Sequence, residues 1–219
     1  MAGRLVSAAA TGPLPRVIVP PGWAAIPVGV PPGWAAIPVG ADNDDTAREV
    51  FREAWRTGPR DSIGPFIHRL EEWLVSVLDD ARDAGCFRVI LPLGVPWQVP
   101  VSTAISLSFA PAARPAGGEQ RLTDAGPAWR AVTDLPVADA DPESLALLRT
   151  IEYAWPLPDG AGMLIAFASI SGQPVAEFAP VADALTVLVE TMLDALDWPP
   201  SGGAPSATAP APTREEATR

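Results

Sequence analysis

Between Asp61 and Ala81, apolar side chains fall at Ile63, Phe66, Ile67, Leu70, Trp73, Leu74, Val77, Leu78 and Ala81. Steps of three and four predict an amphipathic helix. A shorter stripe precedes it, at Ala47, Val50, Phe51, Ala54 and Trp55. Asp44 or Asp45 is its expected N-cap, with acidic charge on the positive helix end. Thr57-Gly58-Pro59 divides the two helices, and Gly85 closes the second. The period then drops from 3.6 to 2. Phe87–Leu91 is a predicted strand. Val101, Thr103, Ile105, Leu107 and Phe109 alternate with Ser102, Ala104, Ser106, Ser108 and Ala110, the pattern of a half-buried strand. Runs from Thr150 to Trp155 and from Met163 to Ser171 flank Pro158-Asp159-Gly160, a hairpin signal. The last stripe runs through Phe178, Val181, Ala182, Leu185, Leu188, Val189, Met192, Leu193 and Leu196. It marks one face of a long helix, with Pro180 in its first turn and Trp198-Pro199-Pro200 at its end.

Weaker patterns fill the gaps. Arg16–Val19 leads into the repeated segment, Trp129–Val132 reads as a further strand, residues 111–126 as a loop, and Asp141–Ser144 as a helical turn. The order is strand, two helices, several strands, helix. That predicts the α+β class: a mostly antiparallel sheet flanked by an N-terminal helical pair and a long C-terminal helix. The expected organisation is a flexible tail over 1–15, a single domain over 16–198, and a disordered tail of Pro, Ala, Ser and Thr over 199–219.

One segment breaks the simple pattern. VPPGWAAIPVG occupies residues 19–29 and recurs, letter for letter, at 30–40. Each copy reads as a Pro-Pro-Gly turn followed by a short extended piece, whose prolines favour a sheet edge. A step of eleven residues is odd, so a continuous strand through both copies would invert its faces. Two units are also fewer than a repeat architecture needs. The identity points to a recent duplication. The second copy runs directly into the first helix and is the expected framework strand.

Charge narrows the function classes. Of 219 residues, 26 are acidic and 15 basic, a formal net charge of −11, and every basic residue is Arg. Such a surface repels nucleic acid and anionic membranes. No apolar run approaches the ~20 residues of a membrane span. The first residues, MAGRLVSAAATGPLPR, lack the apolar stretch of an export signal. The expectation is a cytoplasmic protein with no nucleic-acid partner and no membrane insertion.

Candidate chemistry is sparse. A single Cys, Cys86, leaves no intrachain disulfide framework or Cys-based zinc cluster. A single His, His68, leaves no multi-His metal site. His68 falls on the polar side of its helix, with Glu71, Glu72 and Val75, and reads as a solvated residue. Cys86, between a helix end and a strand, reads as a small buried or edge thiol. Glu71-Glu72 and Asp79-Asp80 read as solvated helix faces, and Asp42, Asp44 and Asp45 as capping charge without the spacing of a calcium loop. The expectation is no catalytic, metal or cofactor-binding residue. The eight Trp stand out instead. Trp55 and Trp73 are expected in the core, and Trp198 is expected to pack back at the helix end. Trp23, Trp34 and Trp97, each near Pro and Gly, are candidates for contact with a partner.

Three stretches together carry a resemblance: PPGWAAIPV before the first helix, LPLGVPWQVPVSTAISLSF in the middle, and IEYAWPLPDGAGMLIAFASI followed by a helix ending in ALDW. They resemble actinobacterial proteins of uncharacterised function with a PsbP-like or LpqN-like α/β sandwich, over about residues 30–198. The resemblance implies a partner-binding or accessory module, linked in some members to specialised secretion, and transfers no functional residue. This chain departs from the lipoprotein members in having no lipidated Cys. The functional expectation is a non-enzymatic protein-interaction module with a protein partner, homo-oligomerisation being open. The alternative is a small-ligand binder with a pocket between sheet and helix.

Overall fold

The computed structural model describes residues 29–57, 60–93, 99–111, 117–136, 147–158, 160, 162–173 and 175–198. Among them the chain forms β1 (Trp34–Pro38), α1 (Asn43–Thr57), α2 (Arg60–Asp83), β2 (Cys86–Pro92), β3 (Val101–Ala110), β4 (Glu119–Thr123), β5 (Gly126–Pro136), β6 (Leu147–Pro156), β7 (Met163–Gly172) and α3 (Phe178–Asp194). The strands make one sheet in the order β1-β2-β3-β7-β6-β5-β4, with every neighbouring pair antiparallel. This is the α+β arrangement that the change of period predicts, with the helical pair and the C-terminal helix in the expected places.

Alternation along each strand sends side chains to opposite faces, and the two faces carry separate cores. On one face, Trp34, Ile90, Ile105, Leu107, Ile151, Tyr153, Trp155 and the even residues Leu164 to Ile170 pack under α3. The C-terminal stripe is buried much as its spacing predicts: Phe178, Ala182, Leu185, Val189, Met192, Leu193 and Leu196 are buried, with Val181 and Leu188 partly so. On the other face, Ile37, Val89 and Leu91 pack against Ala47 and Phe51 of α1 and Ile67, Leu74 and Leu78 of α2. Asn43 ties the two N-terminal helices together. Its amide accepts from the Gly40 N–H (3.0 Å) and donates to Asp79 Oδ1 (2.9 Å).

Three expectations are corrected. α1 begins at Asn43, ahead of the acidic pair expected to cap it; Asp44 and Asp45 lie in its first turn. Part of the loop expected over 111–126 is the edge strand β4, paired with β5 across the Asp124–Ala125 turn. Its sequence, EQRLT, lacks an apolar face because charge anchors it to α3. Arg121 clasps the Asp194 carboxylate through Nε (2.9 and 3.0 Å) and Nη2 (2.5 Å), and the Asp124 N–H donates to the Asp194 carbonyl (2.8 Å). Trp198 folds back as expected and donates from Nε1 to the Ala125 carbonyl (2.6 Å). The third correction is Trp34, which is 8% exposed. As part of β1 it packs in the α3-side core and is not a surface anchor. Its place in β1 makes the second repeat copy the sheet strand. Arg16–Val19, Trp23 and the helical turn at Asp141–Ser144 lie outside the described residues.

Candidate functional site

The broad stripe on α2 splits into two rows. Ile67, Leu74 and Leu78 are buried against β1 and β2, while the adjacent row, Phe66, Leu70, Trp73 and Val77, is not. Phe66 is 60% exposed and Trp73 is 50% exposed. Trp73 is therefore not the core residue its spacing suggests. Its row, displaced around the axis, overhangs the place where β2 ends and β3 begins.

Beneath that overhang lies a groove of about 420 Å³. Phe51, Leu70, Trp73 and Val77 form its helical wall, and Leu91, Pro92 and Leu93 continue it along the end of β2. Val101 to Ala104, at the start of β3, complete it. None of these side chains is ionisable, and Ser102, on the same side of β3 as Ala104, brings the polar side-chain group; Thr103 shares the parity of Ile105 and Leu107 on the other side. Thr103 Oγ1 is buried with no hydrogen-bond partner among the described residues. A groove of this composition binds by withdrawing apolar surface from water, at roughly 25 cal/mol per Å², and the side chains that line it include no acid, base or nucleophile beyond the Ser102 hydroxyl.

The other candidate residues fall elsewhere. His68 stands on the outer side of α1 and α2, in a shallow polar cleft of about 260 Å³ with Asp44, Arg48, Glu71 and Glu72. Its Nδ1 lies 3.3 Å from Glu71 Oε2. Cys86 is half-buried at the start of β2. Burial pushes its thiol above the ordinary range, partly offset by a hydrogen bond with Ser106. That shift disfavours the thiolate, the form that acts as nucleophile. No group of three His, Cys, Asp or Glu side chains placed to hold a metal ion occurs among the described residues. No helix among them is long and apolar enough to cross a membrane. Trp23 and Trp97 lie outside the described residues.

A second polar constellation is structural. Arg130 donates from Nε to Glu190 Oε1 (2.8 Å) and pairs with Glu119 (2.7 Å). Arg149 bridges Asp134 (2.7 Å) and Asp183 (2.6 Å), and Tyr153 donates to Asp194 Oδ1 (3.2 Å). Burial is the main cause that pushes the Tyr153 phenol far up from its usual value, followed by the negative charge of Asp194. These pairs fasten α3 to β4, β5 and β6.

Sequence reasoning misses Trp73 as a site residue. Both rows of α2 satisfy the same period, and only packing against β2 and α1 separates them. Phe66 and Trp73, seven apart beside Leu70 and Val77, are the one signal available, an apolar stripe wider than a single interface. Among known proteins, no family model and no curated protein matches this chain.

Proposed function

We propose that this protein is a non-enzymatic binding module that takes an apolar segment of a protein partner into the groove under α2. The observation that carries the reading is Trp73. A half-exposed indole beside an uncharged groove is an unusual use of surface, because large apolar side chains left in water forfeit their burial energy. Trp is also the residue type that most often dominates binding energy at protein interfaces. Phe66, two helical turns earlier in the same row, extends the same surface. The resemblance to accessory proteins points the same way, and a role in specialised secretion is the finer form of this proposal.

The volume of the groove favours a second reading. About 420 Å³ falls within the range of small-molecule pockets, roughly 300–1,000 Å³, and an apolar small ligand fits its walls. One comparison separates the two. The wild-type chain and Trp73→Glu are purified side by side from an extract of the source cells. Bound proteins are identified by mass spectrometry, and small molecules by native mass spectrometry. A stoichiometric protein that is lost with Trp73→Glu supports the module. A co-purifying small molecule lost with the same variant supports the second reading, and no difference between the two chains refutes both.

A further inference from the structure

We infer, on the footing of the binding proposed for the groove under α2, that the partner enters it as an extended strand, paired through the main chain to the free start of β3. β2 pairs with β1 as far as Pro92, opposite Trp34. β3 pairs with β7 from Val101, opposite Gly172. The pairing between β2 and β3 stops short of both, at Ile90 opposite Ile105. The sheet therefore forks at this end. Leu91, Pro92 and Leu93 form one lip and Val101 to Ala104 the other, and both lips line the groove.

The cause of the fork is a proline. Opposed residues of an antiparallel ladder alternate between pairs that exchange hydrogen bonds and pairs that do not. The Val39 N–H donates to the Phe87 carbonyl, so the odd residues of β2 bond to β1 and the even ones, Arg88 and Ile90, to β3. Next in that register, Pro92 stands opposite Thr103. Proline has no N–H, so the Thr103 carbonyl loses its donor where the ladder stops. By the same alternation, Val101 and Thr103 turn their N–H and C=O groups to the fork, while Ser102 and Ala104 turn theirs to β7. No described residue pairs with Val101 to Ala104 on the fork side. Thr103 is 4% exposed, and buried main-chain groups without partners are costly.

That edge specifies its occupant. Four residues at about 3.3 Å each give about 13 Å of edge, room for a strand of roughly four to six residues. In strand addition the main chain supplies affinity and alternate side chains supply specificity. Side chains of the added strand fall on the two faces of the sheet in turn. Those on the face of Ala104 enter the groove between Leu91 and the row of Leu70, Trp73 and Val77, so they are apolar and uncharged. Those on the face of Thr103 stand beside its Oγ1, which has no hydrogen-bond partner among the described residues, and a short hydroxyl side chain suits them. The segment is thus an extended stretch in which large apolar residues alternate with Ser or Thr, with no Pro at the positions that face β3.

Capped hexapeptides that alternate Leu, Val or Phe with Ser serve as the probe, titrated into the full chain and followed by amide NMR. At least one should bind saturably and slow exchange of the Thr103 amide proton about tenfold or more. The amide protons of Ser102 and Ala104, already turned to β7, should change little. Methylating alternate backbone nitrogens of that peptide, in one of the two possible phases, should weaken it about tenfold or more, because one phase holds the N–H groups that face β3. Trp73→Ala should weaken the unmodified peptide by about the same factor. A peptide that depends on Trp73 but tolerates methylation in both phases, or leaves Thr103 exchange unchanged, keeps the groove and overturns the strand. A peptide indifferent to Trp73→Ala, or a full set that fails to bind, overturns the groove as well.

Discussion

Val189→Asp strikes the middle of the α3 interface. Val189 is fully buried, on the same face as Leu185, Met192 and Leu193, in the core shared with β6 and β7. Losing the burial of Val costs about 1.5–2 kcal/mol. The incoming carboxyl must also be either charged in an apolar site or protonated. Protonation is cheaper, and holding a carboxyl of ordinary pKa about 3.9 neutral at pH 7 costs about 4 kcal/mol, at 1.36 kcal/mol per pH unit. Relaxation and water entry reduce the sum, and a loss of about 4–5 kcal/mol at pH 7 is the expectation. The sign with pH follows from the raised folded pKa. The electrostatic part is absent below the unfolded pKa and grows as pH rises above it, up to the folded value. Measured by urea denaturation against the wild type at each pH, the difference should shrink to about 2 kcal/mol near pH 4. Val189→Ala should cost about 2 kcal/mol at both. A pH-independent loss, or a loss under 1 kcal/mol at pH 7, would refute the burial of this face.

Three further outcomes follow. Asp194→Ala removes the shared acceptor of Arg121 and Tyr153 and should lower stability by about 1–2 kcal/mol, read from the denaturation midpoint. Trp73→Ala should change stability by less than about 1 kcal/mol, since half the ring is already in water; a larger loss would return Trp73 to the core. Iodoacetamide labelling of Cys86 should require a higher pH in the folded protein than in urea, because burial raises the thiol pKa. Equal pH profiles would contradict that burial.

The elements legible in the sequence are those whose apolar face is complete. α3 keeps one stripe over its whole length and packs on a full sheet face. β3 alternates because its serines face away from the α3 core. β4 is silent for the opposite reason: it lies at the edge, and Arg121 and Glu119 hold it through charge, which leaves no period to detect. The groove is silent for a third. Periodicity identifies the apolar rows of α2 but carries no information on which of them faces β2. Trp34 is legible only through position: its copy of the repeat adjoins α1, and no property of the repeat itself distinguishes it from Trp23.

The central claim is that a protein partner sits against Trp73, and site-specific photocrosslinking tests it at that residue. A benzophenone amino acid replaces Trp73 in one chain and the exposed His68, on another face of α2, in a second. Irradiation in an extract of the source cells should give one discrete crosslinked protein from position 73 and none from position 68. Matching crosslinks from the two positions, or none from position 73, would contradict the account.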